Sequence, residues 1–255
     1  MRRLLAIGMA AALATAASAA LLHDNGPFIT GVGDGFGGAN TSAIEAGFTS
    51  FGFNCDEAEP AANGGPFRVA DDFTITDPAW DLTNVKFYAY QTGSTLTSTF
   101  TAAYVTIYSW DGTNLNPVAG DYTTNRLLSS AFSGVYRVTA TTLTNNQRPI
   151  MELDIDLSWA PYLPAGTYYI GISTNGSLAT GPWAVPKTPS APTDNGIQYV
   201  GNPTAPATPG WYLIDGNGTA AGGNQDLPIK LYGTVVPEPA AALLLVAGLL
   251  AARRR

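Results

Sequence analysis

Seven consecutive residues, Met151-Glu152-Leu153-Asp154-Ile155-Asp156-Leu157, alternate strictly between apolar and acidic. An extended chain with a period of two sends Met151, Leu153, Ile155 and Leu157 to one face and Glu152, Asp154 and Asp156 to the other. A helix would scatter the same residues around its circumference. The pattern therefore specifies a strand with one face in a core and one in water. Other short runs rich in β-branched and aromatic residues follow from Phe67 onward: Phe67–Thr76, Val85–Gln91, Ala103–Trp110, Gly134–Ala140, Ile150–Ser158, Thr167–Ser173, Ile197–Val200, Trp211–Ile214 and Leu227–Val235. Gly, Pro, Asn and Asp separate them, as turns require. No segment between Phe67 and Gly233 carries a 3.6-residue apolar stripe. The expectation is an all-β protein, an antiparallel β-sandwich of jelly-roll type.

The stretch before Phe67 reads differently. Gly31-Val32-Gly33-Asp34-Gly35-Phe36-Gly37-Gly38 is glycine-dense, Asn63-Gly64-Gly65-Pro66 is a turn cluster, and Ala43–Phe53 between them suits a short strand or one helical turn. We expect irregular backbone that wraps the sandwich edge and covers strands otherwise open to pairing. Long loop regions at Ala179–Asn195 and Gly201–Gly210 are where a binding site would be carried. No internal repeat or long linker divides the body, so residues 20–233 read as one domain.

The two ends carry addresses. Met1-Arg2-Arg3, the apolar Leu4–Ala14 and Ala17-Ser18-Ala19 match a signal peptide cut by signal peptidase after residue 19. At the other end, in residues 234–255, Val236-Pro237-Glu238-Pro239 precedes an uncharged run, Ala240–Ala252, and then Arg253-Arg254-Arg255. The prolines stop regular structure, and the arginines would stay cytoplasmic. Thirteen residues make a helix of about 20 Å against a hydrocarbon core of about 30 Å, which suits a transient signal better than a permanent anchor. This tail resembles the PEP-CTERM sorting signal of Gram-negative bacteria. The resemblance implies recognition by an exosortase, brief tethering to the membrane through the tail, and delivery to the cell surface or extracellular matrix.

Without these ends, seven basic residues stand against eighteen acidic ones, a net charge of −11. An acidic body with no basic cluster argues against nucleic acid as a partner. Structural calcium is compatible with so many oxygen ligands, and Asp71, Asp72 and Asp215 are the candidate ligands. Asp71 and Asp72 are adjacent on a strand and must point to opposite faces, so together they make no site. Asp215-Gly216-Asn217-Gly218-Thr219 lacks the later glutamate of an EF-hand loop and reads better as a hairpin turn. No resident cofactor is called for. Gly33-x-Gly35-x-x-Gly38 has the letters of a dinucleotide fingerprint, but neither the strand before it nor the helix after it.

Catalysis finds few residues to work with. His23 is the only histidine, so a Ser-His-Asp or Cys-His arrangement would depend on it alone. No His-Glu-x-x-His or other zinc-ligand cluster is present. Carboxylates alone suffice only for chemistry such as glycoside hydrolysis. Cys55, the single cysteine, has no partner for an internal disulfide and reads as a buried small side chain.

Aromatic residues are the stronger functional lead. Trp110 opens the turn Trp110-Asp111-Gly112, while Trp183 and Trp211 follow proline–glycine punctuation. These three tryptophans are the candidate ligand-binding residues, each able to stack on a sugar or to pack the core. The body is also similar to an uncharacterised family of exported bacterial proteins, many with the same tail. The matching strings include Asp24-Asn25-Gly26-Pro27, Arg68-Val69-Ala70-Asp71-Asp72-Phe73-Thr74, Tyr136-Arg137-Val138, Gly166-Thr167-Tyr168-Tyr169, Gly181-Pro182-Trp183 and Asp226-Leu227-Pro228-Ile229. The resemblance implies an exported β-domain and assigns no reaction. The expected function is an exosortase-sorted surface or matrix protein with a structural or adhesive role among exopolysaccharides. The alternatives are a carbohydrate-binding module and, third, a carboxylate-dependent glycoside hydrolase.

If the tail is a sorting signal, a host with exosortase removes it. Mass spectrometry of the released protein is expected to find no peptide from Leu243 onward; an intact C-terminus there would refute the assignment.

Overall fold

The computed structural model describes residues 19–60, 63–191, 193–202, 208–214 and 224–237. Asp215, Glu238–Arg255 and all but the last residue of the expected signal peptide lie outside them. Thirteen strands form one continuous sheet: β1 (Ala20–Asp24), β2 (Asn40–Ala43), β3 (Phe53–Asn54), β4 (Phe67–Tyr90), β5 (Phe100–Trp110), β6 (Leu115–Asp121), β7 (Leu127–Val138), β8 (Pro149–Asp156), β9 (Leu163–Gly176), β10 (Trp183–Ala184), β11 (Ile197–Val200), β12 (Gly210–Leu213) and β13 (Lys230–Val236). No described helix is long and apolar enough to cross a membrane.

Two runs expected as separate strands, Phe67–Thr76 and Val85–Gln91, are joined in the single 24-residue strand β4. Its first half pairs with β9 on one side, from Val69↔Ile172 to Ile75↔Gly166, and with β11 on the other. Its second half pairs with β13 and β8. Between the halves the register against β9 jumps from Ile75↔Gly166 to Ala79↔Pro164. Pro78 lies in that gap and has no N–H to give the ladder, and such a bulge bends a strand. The Trp80 indole Nε1 donates to Asp77 across the corner at 2.7 Å. β4 thus belongs to both layers of the sandwich. One layer runs β12-β11-β4-β9-β5-β6 and the other β1-β13-β4-β8-β7-β2.

The inward faces meet in one apolar cluster. Val69, Phe73 and Ile75 of β4, Val105 and Ile107 of β5, and Ile170 and Ile172 of β9 come from the first layer. Leu82, Val85 and Phe87 of β4, Leu153 and Ile155 of β8, and Leu231 of β13 come from the second. The alternation in β8 holds, with Met151, Leu153, Ile155 and Leu157 all buried. Its acidic face is not simply open to water, however. The register Lys86↔Asp154 and Tyr88↔Glu152 sets donors opposite carboxylates. Lys86 Nζ reaches Asp154 at 3.0 Å and Glu152 at 3.1 Å, Asn84 donates to Asp154 at 2.6 Å, and the Tyr88 hydroxyl donates to Glu152 at 3.0 Å.

The region before Phe67 covers an edge, as its composition suggested. β2 lies parallel to β7, whereas the other paired strands run antiparallel. Arg137 of β7 anchors this wrapping. Its buried guanidinium donates to the carbonyls of Phe51 at 2.7 Å, Ala43 at 3.2 Å and Ser50 at 3.2 Å, and to Ser42 Oγ at 3.0 Å. Cys55 is fully buried beside the Thr174 hydroxyl, and burial pushes its thiol up to about 12, so it is inert at neutral pH.

Leu153→Ala is expected to cost about 2–5 kcal/mol, because a fully buried side chain leaves a cavity between two layers. Asp154→Ser removes a half-exposed pair and is expected to cost about 1 kcal/mol or less. Equilibrium urea unfolding measures both; an equal loss would contradict the register of β8.

Candidate functional site

The outward face of the first layer is aromatic. In-register pairing sets Trp211 of β12 opposite Tyr199 of β11, Tyr199 opposite Arg68 of β4, and Tyr108 of β5 opposite Tyr169 of β9. Residues opposite one another share a face, so strand order alone assembles this surface. Four strand steps separate β5 from β12, about 19 Å at roughly 4.8 Å each. Tyr108 and Trp211 nevertheless meet edge to face, with centroids 5.8 Å apart. The strands between them carry Ala70 and Gly171 on this face. A Cβ at Gly171 would stand 2.4 Å from the Tyr122 hydroxyl and 3.0 Å from the Tyr108 ring. The absence of a side chain there lets both rings lie down across the sheet.

A groove of about 490 Å³ runs along this surface. Trp110, Tyr169 and Trp211 supply its aromatic walls, Ile197, Leu115 and Leu213 its aliphatic ones, and Thr113, Asn114 and Asn195 its polar rim. Trp110 is 37% exposed and packs edge to face on Tyr169 at 5.8 Å. Trp211 is half-buried, held between Tyr108 and Tyr199. The hairpin bearing Trp110 is tied by Asp111, whose carboxylate accepts the Asn114 and Thr113 N–H groups at 2.7 and 2.9 Å and the Asn116 amide at 3.1 Å. Those hydrogen bonds hold its carboxyl down at about 2. Gly112 takes φ +96° in this turn, where a side chain would be strained. Burial, and then Asp72, push the Tyr169 phenol up to about 12, so it stays neutral. Such a lining can stack on a ring face and exchange neutral hydrogen bonds. The groove's described lining contains no carboxylate.

Of the three tryptophans expected to bind, the structure brings Trp110 and Trp211 to one groove and places Trp183 elsewhere. Trp183 lies in β10 opposite Tyr90 and Asn54, half-buried against a second apolar cluster that includes Phe28 and Tyr88. Trp80 is buried in the main core. Tyr108, Tyr169 and Tyr199 were missed from the sequence, although Tyr108-x-Trp110 already shows the spacing that puts two rings on one face.

Asp71 and Asp72 point to opposite faces, as adjacency demands. Asp72 stands half-buried on the outer face opposite Tyr169. Asp71 is fully buried and joins three distant segments. It accepts from the Asn25 amide at 2.9 Å, from the Leu227 N–H and from the Asp72 N–H. Behind it, Asp226 accepts the Asn195 and Gly196 N–H groups at 2.7 and 3.1 Å, and Lys187 bridges Asp226 and Asp194 at 3.1 and 2.8 Å. This network holds the Asn195 rim of the groove. His23 is half-buried in β1, its imidazole lowered by burial against the opposing pull of Asp72, Asp24 and Asp226. Among the described residues, no three His, Cys, Asp or Glu side chains are grouped to hold a metal ion. The chance dinucleotide motif lies in a loop with a short 3-10 turn at Phe36–Gly38, followed by β2.

The carboxyl of Asp71 is raised well above its ordinary value, by burial first and then by Asp226. Its ionisation therefore costs the folded chain more than the unfolded one. Stability from this group is present below the unfolded value near 4 and falls as pH rises toward the folded value. Asp71→Asn retains one acceptor oxygen and has no charge to bury. The melting temperature of the parent is expected to decline more steeply above pH 4 than that of Asp71→Asn; parallel curves would refute this account.

No family model matches this chain, and neither a curated protein nor a solved structure matches it.

Proposed function

We propose that this chain is an exported, exosortase-sorted surface or matrix protein that adheres to extracellular polysaccharide through the groove between Trp110 and Trp211. The observation that carries the reading is the exposed Trp110 ring, held beside Tyr169 by a tied hairpin and rimmed by Thr113, Asn114 and Asn195. A large aromatic left in water at the mouth of a groove loses the burial it would otherwise gain, and stacking on a ligand restores it. Neutral amides and a hydroxyl beside a ring are what a sugar's alternating apolar face and hydroxyl edge require. The leader and tail motifs supply the route to the surface, with signal peptidase and exosortase as transient partners.

The geometry favours binding as the means of adhesion, so the adhesive and carbohydrate-binding readings merge in this groove. Trp110→Ala is expected to weaken retention in a polysaccharide affinity gel while moving the melting temperature by no more than about 2 °C, since a half-exposed ring supports little of the core. Equal retention of parent and variant would refute the groove as the binding site.

A further inference from the structure

We infer that the groove takes an uncharged glycan chain and rejects polyanionic ones such as uronate polymers. The inference rests on the groove being a polysaccharide site and adds the class of chain it accepts. None of the described residues lining it is Lys, Arg, His, Asp or Glu. The cation on the same sheet face, Arg68, is already engaged. Its Nη2 and Nε hold both Glu57 carboxylate oxygens at 2.6 and 2.8 Å, and its guanidinium lies over the rings of Tyr122 at 3.8 Å and Tyr199 at 4.9 Å. Lys187, behind the Asn195 rim, is held between Asp194 and Asp226.

Among the described residues, two carboxylates without a cationic partner also stand beside the groove. Asp72 is opposite Tyr169, and Asp111 immediately follows Trp110. An approaching carboxylate or sulfate would shed water and meet like charge with no counter-charge to replace its hydration. The body's net charge of −11 adds a long-range repulsion at low salt. A neutral sugar meets none of these penalties and keeps the stacking on Trp110 and the amide contacts.

The test is affinity electrophoresis of the exported protein and its Trp110→Ala variant. The gels contain hydroxyethylcellulose, mixed-linkage β-glucan, mannan or polygalacturonate, each run at low salt and at high salt. The expected result is retardation by at least one neutral polymer at both salt concentrations, weakened about tenfold in the variant, with no retardation by polygalacturonate. Retardation by polygalacturonate that Trp110→Ala abolishes would overturn this inference while leaving the groove a sugar site. Absence of Trp110-dependent retardation in every gel would remove the groove reading itself, and this inference with it.

Discussion

Everything in this sandwich is referred to one strand that cannot lie flat. β4 spans 24 residues and breaks its ladder at Thr76–Pro78, where proline offers no N–H and the register against β9 shifts. The two halves hydrogen-bond to different neighbours, β9 and β11 before the corner and β8 and β13 after it. Because the halves are covalently continuous, the layers they head are held face to face. Val69, Phe73 and Ile75 then oppose residues such as Leu153 and Ile155 across a single core. Backbone hydrogen bonding fixes direction here, and burial of the facing apolar rows supplies the stabilisation.

Segments far apart in the sequence meet physically at this strand. Asn25, Asp71 and Leu227 come from the start, the middle and the end of the described chain and share one buried carboxylate. A buried polar group is tolerated only with such partners, and removing one leaves the others unsatisfied. Asn25, Asp71 and Leu227 are accordingly structural at this point. Arg137 does the same for the N-terminal wrapping, with carbonyl oxygens as its acceptors.

The groove depends on those structural choices. Lys187 and Asp226 hold the backbone that presents Asn195, Asp111 holds the turn that presents Trp110, and Gly171 clears the space in which Tyr108 and Tyr122 lie over the sheet. Each support is a hydrogen bond, an ion pair or a missing methyl group rather than a large apolar contact. Within the aromatic wall Tyr169 is buried, while the tied hairpin leaves Trp110 partly in water.

From its sequence alone this chain declares strands and the faces of its strands. The two-residue period in Met151–Leu157 determines which side chains enter the core, and the lone Cys55 between polar neighbours is read correctly as buried. These are local properties, because side-chain alternation needs no knowledge of the partner strand. What only the tertiary structure decides is which strands become neighbours. The union of two apolar runs into β4, the pairing of the acidic face of β8 with Lys86 and Tyr88, and the separation of Trp183 from Trp110 and Trp211 all follow from strand order and register. Trp110 and Trp211 are about a hundred residues apart along the chain and four strand steps apart in the sheet, and they share a groove because Gly171 and Ala70 let Tyr108 and Trp211 reach across the sheet between them. A sequence pattern carries the direction of each side chain, whereas a site requires the distance between them, and that distance is set by long-range hydrogen bonding and packing.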